Sequence, residues 1–335
     1  MNVIAREIRI ASFPAHEVSA ANFEIVETAL PDLAEGEVLV RNTWFSLDPY
    51  MRLPLTGRRG VHGSLKPGAT MDGGAVGVVA ASRAADLPEG TPVLSQRGWR
   101  DAFVARSGEL LTIDAALGPP QWRLGVLGLT GITAFAGVEL VLQPNAGETL
   151  FVSGAAGAVG MVACQLAKAR GARVLGSAGS DAKVQWLKDR LGVDDAVNYR
   201  SEDIDAFLRR TAPDGLDAYF DNVGGSTMDA VLRTIRVFGR IGLCGAIAQY
   251  NDDNYRAGPS EYFAIIEKGL TVTGFNAGLA HDRTPEILAV LSRLLKTGAL
   301  VWEETVVDGL DAAPAAFASL FAGANTGKLL VRLPD

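Results

Sequence analysis

Three glycines, Gly154, Gly157 and Gly160, follow the apolar run Thr149-Leu150-Phe151-Val152 and lead into the helix-forming segment Met161 to Arg170. Glycines leave room for an anion to approach the backbone. A helix that follows them aims its amides and its positive dipole end at that anion. Strand, small-residue turn and helix in this order suit the pyrophosphate of a dinucleotide. The spacing Gly-x-x-Gly-x-x-Gly departs from the usual Gly-x-Gly-x-x-Gly, and taken alone it also describes a tight turn. A second cluster, Asp48-Pro49-Tyr50-Met51-Arg52, sets a carboxylate, a phenol and a guanidinium within one short run. Alone it describes a proline turn with an Asp cap and a packed tyrosine.

The surrounding elements strengthen the first motif. Arg173 to Gly176, Asp195 to Tyr199, Leu216 to Asp221 and Arg240 to Gly245 are short apolar runs separated by helix-like segments, the alternation of a parallel sheet. Further strands are expected at Val237 to Cys244 and Leu270 to Phe275. Helices are expected near Thr227 to Arg236 and over Pro285 to Lys296. Before this region, up to about Gly125, strand-like pieces such as Glu37 to Asn42 and Gly74 to Ala80 alternate with Pro and Gly turns, which describes a separate, mostly β domain. Within it, Phe45 to Arg52 interrupts the strand pattern. The apolar stretch Leu127 to Val138 reads as a helix joining the domains, and the tail from about Val301 returns to strand, helix and strand.

Composition narrows the function. A chain of 335 residues is long enough for two domains. Its net charge of -7, with no basic cluster, argues against nucleic acid or an anionic membrane as partner and for a small molecule. No apolar run reaches the roughly 18 to 20 residues of a membrane span, and the N-terminal residues lack a signal-peptide pattern, so a cytoplasmic location is expected. The two cysteines, Cys164 and Cys244, are too few for a disulfide framework or a four-cysteine zinc site. Cys164 reads as a core residue. His16, His62 and His281 share no metal-ligand spacing, so no metal is expected.

An NAD-preferring sheet ends its second strand on an acidic residue that holds the ribose hydroxyls. Gly176-Ser177-Ala178-Gly179-Ser180 has none. Lys183 follows on the next helix and Tyr199-Arg200 ends the third strand, so a cation and a phenol can surround a 2′-phosphate. NADPH is the expected cofactor.

Taken together, these residues resemble the zinc-free medium-chain dehydrogenase/reductases of the prostaglandin reductase and alkenal double-bond reductase group, which also includes bacterial curcumin reductase. The resemblance covers nearly the whole length. It rests on Asp48 to Arg52, Gly154 to Gly160, Gly179-Ser180-Asp181-Ala182-Lys183, Asn198-Tyr199, Phe220 to Gly225, Cys244 to Asn251 and Gly323-Ala324-Asn325-Thr326-Gly327-Lys328. It implies an α/β fold in which both chain ends, 1–125 and 302–335, form a GroES-like β domain for substrate and catalysis. A doubly wound parallel Rossmann domain over 126–301 then binds NADPH, with the active site between the two. It assigns the pyrophosphate to Gly157, Ala158, Val159 and Gly160, and the 2′-phosphate to Lys183 and Tyr199. The nicotinamide half goes to Asn222, to the segment containing Cys244, Gly245, Ala246, Ile247 and Tyr250, to Phe275, Asn276 and Ala277, and to Asn325. Asp72-Gly73-Gly74 replaces the Gly-His-Glu signature of zinc-dependent relatives. The resemblance further implies a homodimer paired through a sheet edge near Leu270 to Phe275.

The activity implied is NADPH-dependent reduction of the carbon–carbon double bond of α,β-unsaturated ketones and aldehydes. Hydride goes to the β-carbon, and the enolate is stabilised by a ribose hydroxyl and a tyrosine. A quinone reductase on the same scaffold and a non-catalytic NADPH-binding protein are the alternatives. Several members of the family that this chain resembles carry a tyrosine where it has Glu267, which leaves the phenolic partner of the reaction open. Tyr199 belongs to the phosphate end, Tyr219 to a buried strand and Tyr250 to the cofactor side. Tyr50, Tyr255 and Tyr262 remain, with Tyr50 ranked first and Tyr262 second.

Overall fold

The computed structural model describes residues 3–56, 65–251 and 258–334, so His62 and Tyr255 lie outside the described residues. The chain divides into two compact units. One comprises Met1–Gly125, Glu304–Asn325 and Leu329–Asp335, and the other Val126–Glu303 with Thr326–Lys328. The fold class expected from the sequence is borne out: a parallel Rossmann-type sheet and a separate β domain drawn from both chain ends.

The β unit begins with β1 (Ile4–Ile10) and β2 (Phe23–Ala29), which pair antiparallel. It continues with β3 (Glu37–Ser46), β4 (Ala75–Ser82), β5 (Pro92–Ser95), β6 (Ala102–Arg106) and β7 (Leu111–Thr112). The expected interruption at Phe45 does not occur. Phe45 pairs with Ala75 and the Ser46 amide donates to Gly74, so cross-strand partners hold the backbone extended until Leu47. A 3-10 helix, Pro49–Thr56, then starts at the proline, whose fixed φ suits a first helical position.

In the other unit α1 (Leu129–Phe135) covers only part of the expected joining helix. It passes into a π-helical stretch, Ala136–Leu142. Strands and helices then alternate: β8 (Thr149–Val152), α2 (Ala158–Ala169), β9 (Arg173–Ala178), α3 (Asp181–Leu191), β10 (Asp195–Asn198), α4 (Ile204–Thr211), β11 (Leu216–Asp221), α5 (Gly225–Thr234), β12 (Ile235–Leu243), α6 (Phe263–Glu267), β13 (Thr271–Gly274) and α7 (Thr284–Lys296). The strands are parallel in the order β10-β9-β8-β11-β12-β13. Thr149 to Val152 are all buried, as a strand covered on both faces requires. Helix α5 starts and ends two residues earlier than expected. Gly224 and Gly225 enter it with positive φ, and Ile235 is already paired with Leu216.

The chain closes with β14 (Glu304–Asp308), α8 (Ala313–Phe321) and β15 (Lys328–Arg332), all in the β unit apart from Lys328. There the sheet order is β14-β15-β3-β4-β5-β7, with β6 also on β3. Trp99 is buried between Phe23 and Phe317, with ring centroids 5.4 Å from each. Phe45, Leu47, Met51 and Val331 pack in the same core. No helix among the described residues is long and apolar enough to cross a membrane.

One small segment of the tail returns to the Rossmann unit. Gly327 donates its amide to the Ala156 carbonyl, 2.8 Å away, and sits opposite Gly157 as a parallel bridge. Its φ is +69°, and a Cβ there would fall 2.0 Å from the Glu303 carbonyl oxygen. Gly327→Ala is therefore expected to cost about 2 to 4 kcal/mol of stability, from left-handed backbone strain and the backbone clash together. Urea unfolding of the variant checks this, and a loss below about 0.5 kcal/mol contradicts it.

Candidate functional site

The doubly wound order places the change of winding direction between β8 and β11, where ligands of such sheets bind beyond the carboxyl ends of the strands. Gly154, with φ +59°, turns the chain off β8, and the Gly157 amide donates to the Gly154 carbonyl at 3.0 Å. Gly157 then stands extended ahead of α2, whose first turn no side chain caps. Gly157, Ala158, Val159 and Gly160 thus lie where helix amides take up an anion. The glycines act differently. A Cβ on Gly160 would lie 2.4 Å from the Gly154 carbonyl oxygen and 2.8 Å from the Ala155 Cα, so Gly160 lets the loop fold onto its own helix. At Gly157 the same construction meets only the Gly154 oxygen, at 3.2 Å.

At the end of β9 the chain turns through Gly179. Helix α3 is capped by Ser180, whose Oγ accepts the Lys183 amide at 3.3 Å. Tyr199 and Arg200 converge on this turn: a Cβ on Gly179 would lie 2.7 Å from the Tyr199 hydroxyl and 3.5 Å from Arg200 Nε. Burial, and then the neighbouring Arg200, hold the Lys183 ammonium below the ordinary lysine range. Two cations and a phenol thus lie close to one helix N-terminus, an arrangement whose charge suits a dianion. Asp181, in the first turn of α3, accepts a hydrogen bond from Asn198 Nδ2 at 2.7 Å. Arg200, next to Tyr199 in the sequence, adds a second cation to the turn that carries Lys183.

Asn222 and the segment from Cys244 to Tyr250 come together. The Ile247 amide donates to the Asn222 carbonyl at 3.4 Å, and the Tyr250 hydroxyl accepts the Ala246 amide at 3.4 Å. A Cβ on Gly245 would lie 3.2 Å from the Asn222 carbonyl oxygen. Burial, followed by the charge of Asp221, pushes the Cys244 thiol up to about 12, and burial does the same to Cys164. Neither cysteine is poised as a thiolate nucleophile. Phe275 continues from β13, its amide bonded to the Leu243 carbonyl at 3.1 Å and its ring edge-on to Phe220 at 5.5 Å. Gly137 makes room for that ring, since a Cβ would fall 2.5 Å from Phe275 Cζ. Asn276 accepts the Gly278 amide at 2.8 Å and so caps the 3-10 helix that begins at Ala277. Asn325 belongs to the β unit, just before the returning Thr326–Lys328.

The two candidate phenols have different surroundings. Tyr50 is half-buried in the β unit and lines a cavity of about 200 Å³ with Met51, Pro54, Leu65, Met71, Asp72, Gly73 and Gln96. Burial, and then the carboxylates of Asp48 and Asp72, push its hydroxyl well above the ordinary tyrosine range. It is a hydrogen-bond donor that keeps its proton. Tyr262, in the Rossmann unit, is exposed directly before α6, the helix that ends at Glu267. Asp72 pairs with Arg100 at 2.7 Å. Arg52 is fully buried and donates to the His16 carbonyl at 2.8 Å, which gives that guanidinium a structural task. Among the described residues no group of three or more His, Cys, Asp or Glu side chains is placed to hold a metal ion.

Comparison with known proteins gives a consistent picture. Residues 6–113 match the family described as the N-terminal domain of oxidoreductase, and residues 158–293 the one described as zinc-binding dehydrogenase. The chain is 39% identical to the NADP-dependent 2-alkenal reductase of Nicotiana tabacum over 88% of its length and 87% of that protein. It is 37% identical to mouse (Mus musculus) prostaglandin reductase 1 over 93% of its length and 94% of that protein. Among solved structures, CurA from Vibrio vulnificus in complex with NADPH superposes with a TM-score of 0.93 at 35% identity, covering 98% of this chain and 99% of that one.

The cationic cluster yields a direct expectation. Lys183→Ala should weaken NADPH by about 1.5 to 3 kcal/mol, on the order of 10- to 100-fold, and leave NADH nearly unchanged. Because the Lys183 ammonium is destabilised, it loses its proton at lower pH than an ordinary lysine. NADPH affinity should therefore fall as pH rises toward 10, while NADH affinity stays flat. Fluorescence titration of both nucleotides against pH measures this, and equal losses for the two would remove Lys183 from the phosphate site.

Proposed function

The chain belongs to the medium-chain dehydrogenase/reductase family that contains the alkenal and prostaglandin reductases, and on that premise we propose that it reduces the carbon–carbon double bond of α,β-unsaturated ketones and aldehydes. It is an NADP-dependent oxidoreductase, and NADPH, when bound, supplies the hydride that the β-carbon receives. The observation that carries the substrate class is the similarity to olefin reductases along most of the chain, joined to a protonated phenol in a largely apolar cavity.

In this reading Lys183, Tyr199 and Arg200 hold the 2′-phosphate, and the first-turn amides of α2 hold the pyrophosphate. Asn222, Cys244 to Tyr250, Phe275 to Ala277 and Asn325 form the nicotinamide end. As the β-carbon becomes saturated, negative charge grows on the carbonyl oxygen of the substrate, and a proton taken from water at the α-carbon then completes the saturated product. Tyr50 donates a hydrogen bond to that oxygen. Met51, Pro54, Leu65 and Met71 supply the apolar part of the cavity wall, which Asp72 and Gln96 also line, and partial exclusion of water there strengthens the bond relative to one made in bulk solvent. No metal takes part, so the activity should survive exhaustive chelation; loss on chelation with recovery on added zinc would reverse that.

The deciding experiment follows NADPH oxidation across enals, enones and quinones and identifies the product. A saturated ketone or aldehyde is expected. Turnover of quinones alone, or none at all, would overturn the assignment. Tyr50→Phe keeps the ring and removes the hydroxyl, so kcat should fall about tenfold or more with NADPH affinity unchanged. A wild-type rate in that variant, together with a slow Tyr262→Phe, would transfer the role to Tyr262.

A homodimer belongs to the same reading. Strand β13 is the last in its sheet, and the same unit exposes Phe238, Phe263, Ile266 and Val272. An open strand edge with apolar side chains invites pairing with a second copy. Light scattering should return twice the chain mass, and a monomer mass refutes it.

A further inference from the structure

Behind the residues assigned to the nicotinamide lies a polar knot that the proposed reaction does not use. Ser153 at the end of β8, with Tyr219 and Asp221 on β11, are all but completely buried, at 0%, 0% and 2% exposure. Asp221 Oδ1 accepts from the Tyr219 hydroxyl at 2.6 Å, from the Val223 and Gly224 amides at 2.9 and 2.8 Å, and from Ser153 Oγ at 3.2 Å. The main-chain carbonyl of the same residue accepts the amides of Cys244, at 2.8 Å, and Gly245, at 3.0 Å. Ser153 completes the knot: its Oγ accepts the Asn222 amide at 3.0 Å, and its carbonyl accepts Asn222 Nδ2 at 2.7 Å.

The two walls of the nicotinamide end are thereby tied to one residue. The carboxylate shapes the turn Asn222-Val223-Gly224, and the carbonyl holds the start of the Cys244 to Tyr250 segment. A carbonyl can only accept, so the Asn222 amide must point its nitrogen at Ser153, which leaves its oxygen as the acceptor it offers a ligand. Burying a carboxylate is costly, and a turn of this kind could be closed by backbone bonds alone. Four donors aimed at one oxygen keep that carboxylate in place and, with it, the orientation of Asn222.

We propose that Asp221, supported by Tyr219 and Ser153, is a positioning residue that sets the nicotinamide carboxamide acceptor Asn222 and the Cys244–Gly245 backbone without touching the cofactor. The inference rests on the assignment of those two segments to the nicotinamide half. Asp221→Asn keeps the shape and removes the charge, and Tyr219→Phe removes one of the four donors. Two probes separate positioning from stability: 2′,5′-ADP reports only the adenine half of the site, and NADPH reports both halves.

For Asp221→Asn the 2′,5′-ADP affinity should stay within twofold of wild type, while the NADPH affinity and kcat each fall about tenfold or more. Tyr219→Phe should show the same split at smaller size. Equal losses for both probes would mean general loosening and overturn the proposal, as would NADPH affinity and kcat within twofold of wild type in a variant of native circular dichroism. If Asp221→Asn does not fold, Tyr219→Phe decides by the same comparison. A wild-type protein that binds NADPH but reduces no enone would count against the reaction proposed above, while the two affinities would still test Asp221.

Discussion

Backbone amides present themselves to an anion where they converge with no side chain in the way, and in the Rossmann unit such convergence depends on close approach of chain segments. Gly160 brings α2 against Gly154 and Ala155 at distances that no Cβ could tolerate. Gly327 does the same from the far end of the sequence, its amide on Ala156 and its own Cα against Glu303. Without these contacts the first turn of α2 would stand off from β8, and its amides would no longer converge. The buried strands Thr149–Val152 and Leu216–Asp221 then carry the loop and the Asn222 turn on adjacent positions of one rigid sheet.

Polar interactions in the molecule fall into two groups with unequal consequences. Exposed pairs such as Arg210–Glu202 and Arg332–Asp308 contribute little, because water and salt screen them and two long side chains must be ordered. The buried groups matter more, since each must find partners or raise the energy of the fold. Asp221 Oδ1 accepts from four donors, and Arg52 has its guanidinium on the His16 carbonyl. Tyr50 keeps its proton because burial and two nearby carboxylates oppose the phenolate. The same burial that stabilises the fold therefore decides which groups can donate and which can carry charge.

Much of this was legible in the residues themselves. Runs such as Leu150-Phe151-Val152 are apolar without alternation, which only a strand covered on both faces explains, and glycines at strand exits mark where an anion can approach. The missing acid at Ala178 to Ser180, with Lys183 and Tyr199 nearby, pointed to a 2′-phosphate, and the resemblance carried by the scattered motifs supplied the fold class. These features are local: period, turn chemistry and charge within a few residues.

What the sequence could not contain was the partner of each buried group. The extension of β3 through Ser46 depends on pairing with Gly74 and Leu330, and the π-helical stretch after Phe135 has no local signal in the apolar run Leu127 to Val138. Arg200 joins Lys183 only because β9 and β10 lie side by side, and Ser153 meets Asp221 only because β8 and β11 do. Residues dozens of positions apart share a hydrogen bond when the strand order makes them neighbours, and strand order is a property of the packed sheet. The chain alone thus determined the kind of fold and the nucleotide chemistry, whereas the partners that orient Asn222 and keep Tyr50 protonated were decided by tertiary structure, because hydrogen bonds and burial act through space.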